Sequence, residues 1–340
     1  MRFLTRRRPG PVLLGFAAVA LAATAAVPAA ASASTLASPV VGHVYVNDNT
    51  AGTNSIGAFD RHADGTLTPQ AGSPFAAGGA GTGAGLASQG ALQMSPDGRF
   101  LIAADAGSNQ VSVLRIRGNG SLKPVPGGVV PSGGVLPVSI AIHGDLVYVA
   151  NAGNGGSNYT GFRLRRNGRL APIADSAVAL PDGAQPGDVL FNGDGTRLAG
   201  TRVGTSQIDS FTVGPGGLLT AAPGSPFPAQ GLGPFGSEFR PTNPGQLFVS
   251  NAHNAGAGSG TVSAFSDSAD GTLAPIGSSP FADLQTAPCW VEISHDGRFL
   301  FTVNTGLSPS PAAARQRARR GRSHRTPPHP PDTKRRARPA

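Results

Sequence analysis

The chain has 340 residues, a net charge of +9 and one cysteine, Cys289, so it holds no internal disulfide. Forty-nine Gly and 31 Pro suit an all-β chain with many turns, and apolar runs this regular fit neither collagen periodicity nor disorder. The positive charge sits at the two ends: residues 39–306 are net −4, which argues against a nucleic-acid-binding body.

Arg2 and Arg6-Arg7-Arg8 precede an apolar stretch from Val12 to Val27, and Ala31-Ser32-Ala33 follows as a small-x-small cleavage signal. This pattern predicts a secretory signal peptide over residues 1–33, a secreted location, and membrane contact only through the uncleaved signal. Residues 34–42 then read as a flexible lead.

From residue 43 onward a β-hairpin recurs. Its return strands are His43 to Asp48, Phe100 to Asp105, Leu146 to Asn151, Arg197 to Arg202, Gln246 to Asn251 and Phe299 to Asn304. Aligned on their last residue, the copies are 57, 46, 51, 49 and 53 residues apart. A strand-only period near 50 is a propeller-blade period. In each unit a tight turn, such as Asp296-Gly297, joins an inner strand A to this strand B. A half-buried strand C follows, for example Tyr159 to Leu164, with a second turn such as Asn167-Gly168 and a short outer strand D carrying a proline that an edge strand tolerates. Ser-Pro-Phe closes several units, at Pro74-Phe75, Pro226-Phe227 and Pro280-Phe281.

The strand inventory predicts strands B, C and D of unit 1, all four strands of units 2–5, and A and B of unit 6. The expected fold is therefore an all-β propeller of four-stranded blades over residues 43–306, with four full blades and parts of two others. Such a body should form an open arc with unpaired edges, the alternative being a five-bladed ring in which the unit 6 A strand completes unit 1. After Gly306 the apolar periodicity stops. Residues 307–340 read as a disordered basic Arg/Pro/Ala-rich tail, either a natural appendage or the product of a reading-frame shift.

The segments Leu146-Val147-Tyr148-Val149-Ala150-Asn151-Ala152-Gly153, Gly161-Phe162-Arg163-Leu164, Pro234-Phe235-Gly236 and Cys289-Trp290-Val291 carry a family resemblance. With its repeats laid out this way, the chain resembles the lactonase family of seven-bladed propellers, which includes 6-phosphogluconolactonase and carboxymuconate cyclase, and looks most like an exported actinobacterial branch. The resemblance covers residues 43–306 and implies the propeller fold. It also implies a Pro-His-x-His run at the start of an A strand in catalytic members. The matching positions here are Pro137-Val138-Ser139-Ile140, Pro186-Gly187-Asp188-Val189, Pro234-Phe235-Gly236-Ser237 and Pro288-Cys289-Trp290-Val291, and none contains histidine.

Opening a lactone needs a base for water and a cation or hydrogen-bond donor for the developing oxyanion. The candidates in this sequence are His253, in a B-to-C loop, and Glu238, on an A strand, as catalytic groups. Candidate ligand-binding residues are Arg202, in the place where other B strands end in Asp or Asn, the channel carboxylates Asp188 and Glu292, and the strand-closing Asn151 and Asn251. Arg202 could instead pair with Asp188 or Glu238. The bland alternatives are a solvated loop histidine, carboxylates in a wet channel, and packing roles for Cys289 and Trp290. The sequence has no Cys-x-x-Cys, His-Glu-x-x-His or Gly-x-Ser-x-Gly, so no metal or other cofactor is expected. The leading expectation is an exported, lactonase-like binding or scaffold module for an unknown small molecule, lactone or sugar-like, or for an extracellular partner. The alternative is a hydrolase opening a lactone or related cyclic ester.

Overall fold

The computed structural model describes residues 38–306. The expected signal peptide and basic tail lie outside the described residues. Within them the chain forms six consecutive antiparallel sheets, one per predicted unit.

Blade 1 holds β1 (Val40–Asn47), β2 (Gly52–His62), β3 (Leu67–Pro69) and β4 (Phe75–Gly81); blade 2 holds β5 (Leu92–Met94), β6 (Phe100–Asp105), β7 (Gln110–Ile116) and β8 (Leu122–Pro131). Blade 3 holds β9 (Pro137–His143), β10 (Leu146–Asn151), β11 (Asn158–Leu164), β12 (Leu170–Pro172) and β13 (Val178–Ala179). Blade 4 holds β14 (Pro186–Phe191), β15 (Arg197–Arg202), β16 (Gln207–Val213), β17 (Leu219–Ala221) and β18 (Phe227–Pro228). Blade 5 holds β19 (Pro234–Arg240), β20 (Asn243–Asn251), β21 (Thr261–Asp267), β22 (Leu273–Pro275) and β23 (Phe281–Ala282). Blade 6 is the hairpin β24 (Pro288–Ile293) and β25 (Leu300–Asn304). The first strand begins at Val40, which pairs with His62, so part of the expected lead belongs to the sheet.

In blades 1, 3, 4 and 5 the outer strand is broken into two pieces that both pair with strand C, whereas in blade 2 it runs through as β8. At each break a serine hydroxyl replaces the missing strand partner. The amide hydrogens of Ala58, Gly161, Ser210 and Ala264 donate to the Oγ atoms of Ser73, Ser176, Ser225 and Ser279, at 2.8, 3.0, 3.0 and 2.6 Å. Three of these serines precede cis prolines, at Ser73-Pro74, Ser225-Pro226 and Ser279-Pro280.

The apolar core lies between blades. Ile56 and Ala77 of blade 1 meet Leu101 and Leu114 of blade 2; Ile102 and Val113 of blade 2 meet Val147 and Phe162 of blade 3. Tyr148 and Tyr159 of blade 3 pack on Leu198 and Phe211 of blade 4, and Ile208 of blade 4 packs on Leu247 and Phe265 of blade 5. The alternation of strands B and C produces this pattern, because each buries both faces against successive neighbours. The turn glycines complete it. Gly168 has φ 85° and a side chain there would collide with the Phe100 ring of the preceding blade, so both backbone and packing require glycine.

The arc is open among the described residues. The partner of β24 is β25, not β1, and β1 pairs only with β2, so the five-bladed ring does not form. Phe299, Phe301 and Val303 near the last edge and Val40, Val41 and Val46 near the first are exposed.

Candidate functional site

The innermost strands β9, β14, β19 and β24 stand side by side, and their first residues occupy the Pro-x-x-x positions noted in the sequence. The segment Ser88–Gly90, leading into β5, joins them. The Gln89 amide hydrogen donates to Gly187 O (2.9 Å), its Nε2 donates to Ser237 O (2.9 Å), and its Oε1 accepts from the Val291 amide (2.9 Å). Ser88 Oγ donates to Val138 O (2.7 Å) and Gly90 O accepts from the Ile140 amide (2.9 Å). One short segment of blade 2 thus touches the inner strands of blades 3, 4, 5 and 6.

Next to it, a cavity of about 160 Å³ is lined by Gln89, Gln93, Asp188, Ser237 and Glu238. Asp188 is buried, with all its acceptor capacity engaged. Its Oδ1 accepts from Ser139 Oγ (3.1 Å) and the Val189 amide (2.9 Å); its Oδ2 accepts from the Ser237 amide (2.9 Å) and Ser237 Oγ (2.8 Å). Burial pushes its pKa up to about 7, against the opposing effect of these hydrogen bonds. Glu238 is half-buried, and its pKa is pushed up to about 8, first by burial and then by the charges of Glu292 and Asp188. Asp188, Glu238 and Glu292 are therefore brought together electrostatically, and Glu292 remains exposed.

The other candidates lie apart from this cluster. Arg202 pairs with neither Asp188 nor Glu238. Its Nε and Nη2 donate to Asp209 Oδ2 and Oδ1 at 2.7 and 2.5 Å, and Tyr159 OH donates to Asp209 Oδ2 at 2.9 Å. This bidentate pair is largely buried, with side-chain exposures of 12% and 2%, so the guanidinium is held between blades rather than presented to a ligand. Asn251 donates to Thr261 Oγ1 and Ser263 Oγ, and Asn151 donates to Asn158 Oδ1; both are fully buried, and both tie the end of strand B to strand C. His253 is exposed, its ring packed on Gly233. Asp209, Ser139, Ser237 and Gln89 were not among the sequence candidates. Ser139 and Ser237 stand in the very Pro-x-x-x runs where histidine was sought, but nothing in the sequence says that their hydroxyls meet Asp188.

A larger cavity, about 630 Å³, opens on the long-loop rim between the end of β1, the Gly83–Ser88 loop and Trp290 of β24. Asp48 is the strand-closing residue of blade 1, equivalent to the buried Asp105, Asn151 and Asn251, yet it is exposed and lines this cavity. Its Oδ2 accepts from Ser55 Oγ at 2.9 Å. Asn49 anchors the facing loop, donating from Nδ2 to Ala84 O at 2.5 Å and accepting from the Thr82 amide at 3.0 Å. The Trp290 ring is held by Nε1–H donation to Ser88 O at 3.0 Å and an edge contact with Phe235, ring centroids 6.2 Å apart. Among the described residues no cluster of His, Cys, Asp or Glu is arranged to hold a metal ion.

Comparison with known proteins agrees with this architecture. The sequence pattern of the family "Lactonase, 7-bladed beta-propeller" matches residues 53–191. A solved structure from Lactobacillus plantarum superposes with a TM-score of 0.62 at 17% identity, covering 80% of this chain and 79% of the other. The periplasmic gluconolactonase of Pseudomonas aeruginosa gives 0.59 at 19% identity, covering 77% and 75%. A proposed 6-phosphogluconolactonase of Bacteroides uniformis gives 0.59 at 24% identity, covering 77% and 74%. No curated protein matches the sequence. With the family pattern running through residues 53–191 and the same blade architecture repeated to Gly306, the chain is a β-propeller that is similar to the lactonase family over its first blades.

Proposed function

We propose that this protein is an exported propeller that binds a small lactone or sugar-like molecule, or an extracellular partner, without hydrolysing it. The observation that carries this reading is the pairing of Arg202 with Asp209. Arg202 was the cation available to an oxyanion near the inner strands, and its largely buried, bidentate pair with Asp209 already neutralises that charge. Asp188 is likewise saturated by Ser139, Val189 and Ser237, and holds strands of three blades rather than a water.

A second reading has one specific observation behind it. Glu238, with its pKa near 8, lines a cavity and could exchange a proton near neutral pH, as a general acid or base must. Incubating the full chain with a panel of sugar and acyl lactones, beside Glu238→Gln and His253→Ala, separates the two. The binding reading predicts rates equal to the spontaneous background for all three proteins. Turnover that Glu238→Gln or His253→Ala abolishes would establish the hydrolase instead.

A further inference from the structure

We infer that the rim cavity between Asp48, the Gly83–Ser88 loop and Trp290 is a binding site for unphosphorylated sugar rings, neutral or carrying an amine, and that it rejects sugar phosphates. The inference rests on the binding reading above and names its site and ligand class.

Three observations combine. First, the volume of about 630 Å³ lies within the roughly 300–1,000 Å³ of small-molecule sites, whereas the inner-strand cavity, at about 160 Å³, falls below it. Secondly, the cavity joins an indole to a carboxylate. Trp290 is 39% exposed and fixed in orientation through Nε1 and Phe235, so its ring can meet the C–H face of a sugar at little entropic cost. Asp48 keeps one oxygen on Ser55, which holds the carboxylate in place as an acceptor for hydroxyl or ammonium groups. The facing loop adds a backbone surface that Asn49 holds from both sides. Thirdly, among the described residues no Lys, Arg or His lines the cavity, so a phosphate would meet the Asp48 charge with no cation from these residues to offset it. Of the residues that close strand B, Asp105, Asn151 and Asn251 are buried and Arg202 and Asn304 are half-buried, whereas Asp48 is exposed.

Trp290 is the sole tryptophan of the chain, so its fluorescence reports on this cavity alone. The full chain would be titrated with methyl β-D-glucopyranoside, D-glucosamine and D-glucose 6-phosphate, following tryptophan emission and, in parallel, heat by calorimetry. The expected result is a saturable emission change with the glucoside and with glucosamine, and none with the phosphate. Trp290→Ala should weaken binding by roughly tenfold or more, read by calorimetry. Asp48→Asn, at an exposed position where folding is not at stake, should cost glucosamine roughly two- to fivefold and remove its advantage over the glucoside. Binding of glucose 6-phosphate as tight as that of the glucoside overturns the charge argument. Heat of binding with unchanged emission, and with full affinity in Asp48→Asn, overturns the cavity assignment while leaving the binding reading intact. Absence of binding by either unphosphorylated probe also overturns the inference. Lactone turnover in the panel described above would sink the binding reading by itself.

Discussion

Glu238 has little that rewards its charge: it lies against Asp188 and Glu292, and no cation offsets them among the causes of its shift. Its pKa in the folded chain is about 8, against about 4 for a free glutamate. Protonation is thus favoured by folding, so its stabilising contribution is complete below about pH 4 and is lost as pH rises towards 8. Asp188, raised to about 7, adds to the same trend. Thermal melts between pH 5 and 9 should show stability falling with pH, and Glu238→Gln should flatten that fall and be the more stable form at pH 9. A melt profile in Glu238→Gln as steep as in the parent would show that Glu238 does not carry the trend. The proximity of the three acids could be read in the sequence, because Glu238 and Glu292 hold equivalent positions in neighbouring units. The fate of Arg202 could not. Its partner Asp209 lies seven residues on, across the β15–β16 hairpin, and a pairing of that kind depends on register and rotamer, not on residue type.

At the scale of a strand, the interrupted outer edge is what the repeat pattern concealed. Ser-Pro-Phe is visible three times in the sequence, and a closing role for it follows from its position. That the serine hydroxyl stands in for a lost ladder partner follows only from the geometry at the break. The blade with no proline after the serine, blade 3, uses Ser176 in the same way, which a search for the tripeptide would pass over. Because Ser210 is buried, removing its partner leaves an amide hydrogen with no water to replace the bond. Ser225→Ala should therefore cost about 1–3 kcal/mol, measured from the urea midpoint at unchanged slope. Blade count, strand order and both turn types were legible because alternation and Asp-Gly or Asn-Gly turns are local signals, and local signals survive translation into a string of letters.

For the whole molecule, the two ends of the arc matter most. Phe301 and Val303 are 59% and 55% exposed on β25, a strand with one partner and no charged residue along its length. Such an edge invites another strand, and lysines on the same positions are how natural sheets prevent it. Phe301→Lys with Val303→Lys should lower concentration-dependent association in sedimentation velocity and leave the melting temperature within a few degrees. If association is unchanged, the exposed edge is not its cause. The Gln89 amide has a different consequence, kinetic in nature. Contacts between adjoining blades span about one repeat, but Gln89 reaches Ser237 across 148 residues and Val291 across 202. Closing so long a loop carries an entropic penalty that grows with length, so these bonds form after the shorter ones have gathered the blades. Adjoining blades should therefore pack on one another before Gln89 joins blade 2 to blades 5 and 6.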